Sequence, residues 1–254
     1  MTSIWEDPEK SLAKAELFIR HAAASGANLI CFPEQFATGW DPCSSSNVEG
    51  IDERIIPALQ KYARGAGISI LGSFRERFTP SPRNTSVAIG SDGGILTTYA
   101  KIHLFSHARE TSAFTPGTGL GIFPLGDLMC GIAICYDLRF PEVFRAYAKS
   151  GVQVVFVPAA WPANRIRHWE LFISARAAEN QMYIVGVNTT GKTPVDAYYG
   201  ASMTADPHGA IISRGNDAEQ LIFVDLDPGV IDTARASFPV GLDRKEALYR
   251  DLML

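Results

Sequence analysis

Short apolar runs recur through this chain, each closed by turn residues, and they alternate with stretches whose apolar residues return at helical spacing. Asn28 to Phe32 follows one such stretch, Pro8 to about Ala24, and Ile68 to Phe74 follows another, about Ile51 to Ala66. In the first stretch Pro8 suits an opening helical position, Leu12, Ala15, Leu17, Phe18 and Ala22 repeat near helical spacing, and Gly26 closes the helix. The alternation then breaks. Asn84 to Ile89 and Ile95 to Tyr99 flank Ser91-Asp92-Gly93-Gly94, a hairpin signal that demands antiparallel pairing. It resumes with strands at 121–125, 130–135, 152–157, 181–187, 199–205, 210–213 and 220–226, and helices at 141–149, 164–180 and 228–235. Strand–helix–strand units and hairpins in one chain predict an α/β fold whose mixed sheets carry helices on their faces.

With 254 residues and 46% apolar content the chain can bury a sizeable core, and without a repeat or linker the expectation is a single domain over 1–254. A formal net charge of −4 gives no basic field for polyphosphate, so nucleic acid is not an expected partner. No run reaches the roughly 20 apolar residues that span a bilayer, and Met1 to Asp7 has neither the basic nor the apolar part of a signal peptide. A cytoplasmic protein without membrane contact is expected. Cys31, Cys43, Cys130 and Cys135 form no CxxC pair or zinc-spaced cluster, which predicts free thiols, no disulfide and no structural metal.

Three apolar runs end on a reactive side chain: Glu34 after Leu29 to Pro33, Lys101 after Leu96 to Ala100, and Cys135 after Gly131 to Ile134. Taken singly, each has a plain reading, as a solvated loop carboxylate, a solvated strand-end charge and a small core hydrophobe. Ligands of open α/β sheets bind beyond the carboxyl ends of strands, so the three can converge on one cleft. A thiol, a carboxylate and an ammonium together suit attack on an amide. The carboxylate takes the thiol proton and returns it to the leaving amine, while the ammonium offsets charge on sulfur and oxyanion.

Phe32-Pro-Glu-Gln-Phe-Ala-Thr-Gly-Trp40, Tyr99-Ala-Lys-Ile-His-Leu-Phe105, Cys135-Tyr-Asp-Leu-Arg-Phe-Pro-Glu142 and the blocks from Trp161 to Gln181 resemble, in order and over nearly the whole chain, the carbon–nitrogen hydrolase or nitrilase-like superfamily. The resemblance implies a four-layer α-β-β-α sandwich, usually a homodimer paired through helices, working without metal or organic cofactor. It also implies Glu34 as general base, Lys101 as oxyanion stabiliser, Cys135 as nucleophile, and Glu110 as a second glutamate that fixes Lys101, against a plain reading of Glu110 as a surface loop residue. Family members normally open with an apolar strand, and this chain starts at that strand's end, so the natural start is expected upstream of Met1.

Tyr136-Asp137 stands where true nitrilases carry Trp-Glu, which argues against nitriles, and the surrounding motifs look most like the ω-amidase branch. That branch cleaves the terminal amide of 2-oxoglutaramate and 2-oxosuccinamate. A small-molecule amide with a remote carboxylate calls for a guanidinium, and Arg139 matches that position, with Trp161 as an aromatic wall and Arg165 as a second cation or simply a solvated arginine. The Tyr136 backbone N–H joins Lys101 at the oxyanion, and His168 reads as structural. Two other readings stay open at this point, an N-carbamoyl amide hydrolase with the same triad and a non-catalytic scaffold keeping the fold.

Overall fold

The computed structural model describes residues 1–252. In chain order the elements are α1 (Pro8–Ala24), β1 (Leu29–Cys31), α2 (Ile55–Ala66), β2 (Ser69–Glu76), β3 (Arg83–Ile89), β4 (Ile95–Ala100), α3 (Glu110–Ala113), β5 (Gly121–Leu125), β6 (Leu128–Ile132) and α4 (Pro141–Lys149). They continue with β7 (Val154–Ala159), α5 (Ile166–Asn180), β8 (Tyr183–Asn188), β9 (Thr190–Lys192), β10 (Ala197–Tyr199), β11 (Met203–Ala205), β12 (Ile211–Arg214), α6 (Pro228–Ser237) and α7 (Glu246–Leu252). The first helix starts as its sequence requires: Asp7 accepts from the Lys10 N–H at 3.1 Å and Pro8 takes the first turn, where no N–H is needed.

Two mixed sheets result, ordered β1-β2-β3-β4 and β12-β11-β8-β7-β6-β5. In the first, β1 and β2 run parallel and the hairpin strands β3 and β4 add antiparallel. In the second, β6, β7 and β8 are parallel, and β5 and β11 flank them antiparallel. Side chains alternate between the two faces of each strand. Ile70, Val87 and Ile89 therefore pack with Leu12, Ile19 and Leu59 of α1 and α2, while Leu71 and Ala88 belong to the core shared with Phe123, Ile132 and Val155 of the second sheet. Phe144, Trp169 and Ile173 of α4 and α5 lie in that same core. Helices, sheet, sheet, helices make the four layers. Close contact of α5 requires Gly186, where a Cβ would stand 2.4 Å from Ile173.

Three expectations need correction. The run 220–226 forms no strand, although Leu221 to Val224 is a continuous apolar run of the kind a buried strand uses. A strand exists by the hydrogen bonds of its neighbour. The run faces instead a slot of about 1140 Å³ with a mixed polar and apolar lining that includes Met1, Ile30 on the free edge strand β1, Phe32, Phe156 and Val187. The run 199–205 is broken at Gly200 and Ala201, both at positive φ (65° and 53°), so β10 pairs only with β9, and β11 enters the large sheet. Finally, β6 stops at Ile132, and Cys135 sits in a separate helical turn, Cys135–Arg139.

Candidate active site

The carboxyl ends of strands from both sheets meet at one place. Glu34 follows β1, Lys101 directly follows β4, Cys135 lies beyond β6, and Ala160-Trp161 follows β7. Glu34 and Lys101 are each 1% exposed and Glu110 is 0% exposed, so these charges stand out of water and need one another. The Lys101 ammonium donates to Glu34 Oε1 at 2.8 Å and to Glu110 Oε1 and Oε2 at 3.1 and 2.9 Å. The expected pairing of Glu110 with Lys101 matches this placement; a surface loop glutamate does not. A left-handed Arg109 (φ 65°) turns the chain so that Glu110 heads the short α3 facing inward, and the Phe105 N–H donates to its Oε2 at 2.6 Å.

Two further groups hold Glu34 that the sequence did not reveal. Asn84, at the start of β3 beside the end of β4, donates to Glu34 Oε1 at 2.7 Å and to Glu110 Oε1 at 3.2 Å. The Ala160 backbone N–H donates to Glu34 Oε2 at 3.0 Å. An asparagine within a strand reads as an ordinary polar residue, and a backbone N–H has no signature at all.

Cys135 takes a positive φ of 44°, a strained value for a residue with a Cβ, at the start of its helical turn. The first N–H groups of such a turn, that of Tyr136 among them, have no acceptor within it. Burial pushes the Cys135 thiol well above the usual cysteine range; the Glu34 charge adds to this and Lys101 opposes it. Burial likewise raises the Glu34 carboxyl, with Lys101 pulling it back and Glu110 pushing it further. For Lys101 burial alone lowers the value, but Glu110 and Glu34 reverse that and hold the ammonium above the ordinary lysine range.

A cavity opens over these groups, lined by Trp40, Lys101, Cys135, Arg139, Trp161 and Arg165 among others. Tyr136 also lines it, packed between Phe105 and Phe140 with ring centroids 4.8 and 5.3 Å away. Arg139 lies over Trp161 at 4.8 Å and over Phe172 at 5.4 Å. Its guanidinium donates to His168 Nδ1 at 3.4 Å, and among the described residues it meets no carboxylate. Arg165 rests 5.7 Å from the Phe105 ring, while its carbonyl accepts from Trp161 Nε1 at 2.8 Å. The Trp40 indole N–H, buried in the same wall, has no partner among the described residues, another donor the sequence did not single out. Arg176 reaches Glu179 at 3.1 Å and also donates to the carbonyls of Leu138 and Arg139, bracing the end of the cysteine turn. Cys31 and Cys130 lie in the strands, Cys43 in an exposed loop, and all are free thiols.

The carbon–nitrogen hydrolase family model matches residues 1–236. A 2-oxoglutaramate amidase of Bacillus subtilis (strain 168) is 32% identical over 244 residues, covering 95% of this chain and 94% of the relative. An omega-amidase, NIT2, of Danio rerio is 30% identical over 253 residues, covering 94% and 90%. Among solved structures, an amidase of Nesterenkonia sp. AN1, seen after Michael addition of acrylamide at its active-site cysteine, superposes with a TM-score of 0.88 at 26% identity over 99% of this chain and 96% of that one. XC1258 of Xanthomonas campestris shares the fold, with a TM-score of 0.90 at 24% identity over 96% and 94%. By the span of the family match and the cover of these relatives, this chain belongs to the carbon–nitrogen hydrolase family and is a hydrolase of carbon–nitrogen bonds other than peptide bonds.

Proposed function

We propose that the protein is an ω-amidase that releases ammonia from 2-oxoglutaramate or 2-oxosuccinamate through a thioester on Cys135. As the sulfur attacks the amide carbon, its proton passes to Glu34, and the carbonyl electron pair moves to oxygen, where the Lys101 ammonium and the Tyr136 N–H offset it. Collapse breaks the C–N bond, and Glu34 gives its proton to the departing ammonia. Glu34 then takes a proton from water as that oxygen attacks the thioester, and the leaving thiolate regains it. A carboxyl raised by burial suits both directions of transfer.

The substrate class rests on one observation: Arg139, without a carboxylate partner among the described residues, lines the same cavity as Cys135. A guanidinium held over Trp161 and beside Phe172 can match a carboxylate with paired hydrogen bonds. Arg165 supplies a second positive group and Trp161 the wall. The amidase names of the Bacillus and Danio relatives agree with this reading. Among the described residues no helix is long and apolar enough to cross a membrane, and we place the enzyme in the cytoplasm, as a homodimer whose contact shields the exposed Phe238, Leu242 and Leu248 of the tail.

The test offers purified protein 2-oxoglutaramate, 2-oxosuccinamate, glutamine and N-carbamoyl amines while ammonia and carbon dioxide are both followed. Ammonia from the 2-oxo acid amides is expected. Carbon dioxide from the carbamoyl compounds, with the 2-oxo acid amides left intact, overturns the assignment.

A further inference from the structure

We infer that Asp137 is a positioning residue that locks the turn carrying Cys135 to the strand end carrying Lys101; the inference rests on the triad reading above and not on the choice of substrate. Lys101 comes from the four-stranded sheet and Cys135 from the six-stranded one, so the cation–sulfur separation depends on how two sheets sit together. Asp137 joins them. Its carboxylate is fully buried, and four donors converge on it. Oδ2 accepts from the Tyr99 hydroxyl at 2.8 Å and from the Ile134 N–H at 2.9 Å. Oδ1 accepts from the His103 N–H at 2.8 Å and from His103 Nδ1 at 2.9 Å.

The identity of these partners carries the inference. Tyr99 and His103 stand two residues to either side of Lys101, and Ile134 is the residue just before Cys135. One carboxylate thus grips the lysine segment at both flanks and the nucleophile's turn at its entry. It accepts the N–H of the residue before a positive-φ cysteine, which helps hold a conformation strained at a residue with a Cβ. His103 is fixed from the other side by Phe140, whose ring stacks at 3.6 Å and 7°, so the grip extends past the far end of the cysteine turn. The Asp137 carboxylate makes no hydrogen bond to the Cys135 sulfur among the described residues, and Asp137 is not among the residues that line the cavity. It acts through the residues it holds.

Asp137→Asn tests this because it keeps the shape while turning one oxygen into a donor facing two donors. Misplacement of a reacting group by about 1 Å costs about 100-fold, so kcat is expected to fall by about that factor while KM stays within about threefold. Alkylation of Cys135 by iodoacetamide is expected to slow in parallel, a readout that needs no substrate. If the asparagine variant does not fold, His103→Ala and Tyr99→Phe each remove donors at the edge of the same cluster; each is expected to lower kcat by about tenfold with KM unchanged, and the alkylation rate with it. Folded variants that keep kcat and alkylation within about threefold of the parent, whatever their melting temperature, overturn the inference. Slow alkylation with no turnover of any 2-oxo acid amide by the parent enzyme refutes the substrate reading and leaves this one standing.

Discussion

Replacing Glu110 by glutamine keeps its shape and removes its charge, and the hydrogen bonds around it set the cost. Each oxygen receives two donors: Lys101 and Asn84 on Oε1, Lys101 and the Phe105 N–H on Oε2. Whichever oxygen becomes an amide nitrogen, two donors then face a donor. One lost charge-assisted hydrogen bond is worth about 1.5–3 kcal/mol and one neutral bond about 1 kcal/mol. About 3 kcal/mol felt in the transition state is roughly a 100-fold loss of kcat. A second effect has a definite sign. The Glu110 charge raises the Glu34 carboxyl, so its removal lowers it. Glu34 must be ionised to accept the thiol proton, so activity is lost as pH falls through the Glu34 titration, and the acid limb for the parent lies above the ordinary carboxylate range. In Glu110→Gln that limb moves to lower pH. Ammonia release followed from about pH 4 to about pH 9, a range that brackets the acid limb and the plateau above it, measures both effects. A kcat within about threefold of the parent, or an acid limb that stays or moves up, refutes the reasoning.

Cys135→Ala should leave the thermal midpoint nearly unchanged, since a small buried side chain is exchanged for a smaller one, and should abolish ammonia release; retained turnover sinks the thioester scheme. Arg139→Ala should raise KM for a carboxylate-bearing amide by about 30- to 100-fold, the loss of roughly 2–3 kcal/mol of charged hydrogen bonding, while a neutral short amide changes little. Equal losses on both would place Arg139 in the fold rather than at the substrate. The slot beside β1 should accept one extended strand: about six apolar, β-branched residues added ahead of Met1 are expected to raise the thermal midpoint by at least about 5 °C, which is near 2 kcal/mol for a domain of this size. No rise, with the run 220–226 still unprotected from amide exchange, would mean that the slot takes no strand.

The three reactive strand ends are legible because an apolar run fixes where a strand stops, and the residue after it is delivered to the sheet's carboxyl edge. Glu34, Lys101 and the approach of Cys135 come from that alone, and Glu110 and Arg139 from motif resemblance. Asn84 is hidden because its function depends on β3 running antiparallel to β4, which sets its amide beside the end of the lysine strand. Asp137 stands out in the sequence only as a departure from the nitrile pattern, since its partners Tyr99 and His103 lie in or beside the other sheet and no local spacing relates them. For 220–226 the apolar run is visible and the neighbour is not. Pairing is a property of two segments, so one segment's pattern cannot secure it.

In the proposed thioester scheme, the charges of the site explain how a buried thiol can act as the nucleophile. With both glutamates ionised and Lys101 protonated, the dry cluster of Glu34, Glu110 and Lys101 carries one negative charge, and a thiolate added to it would make two. Burial and the Glu34 charge accordingly keep the proton on sulfur. Passing that proton to Glu34 leaves the total at minus one and only relocates the charge from carboxylate to sulfur. Lys101 contacts one flank of Glu34 and faces the cavity with Cys135, so it serves the charge at either location. The raised Glu34 carboxyl brings the two proton affinities closer, which lowers the cost of the transfer, and Glu110 contributes to that raising while anchoring the lysine. A site with the lysine and cysteine but one glutamate would hold the cation less firmly and accept the proton less readily, so in the proposed scheme the second carboxylate belongs to the chemistry as much as to the scaffold.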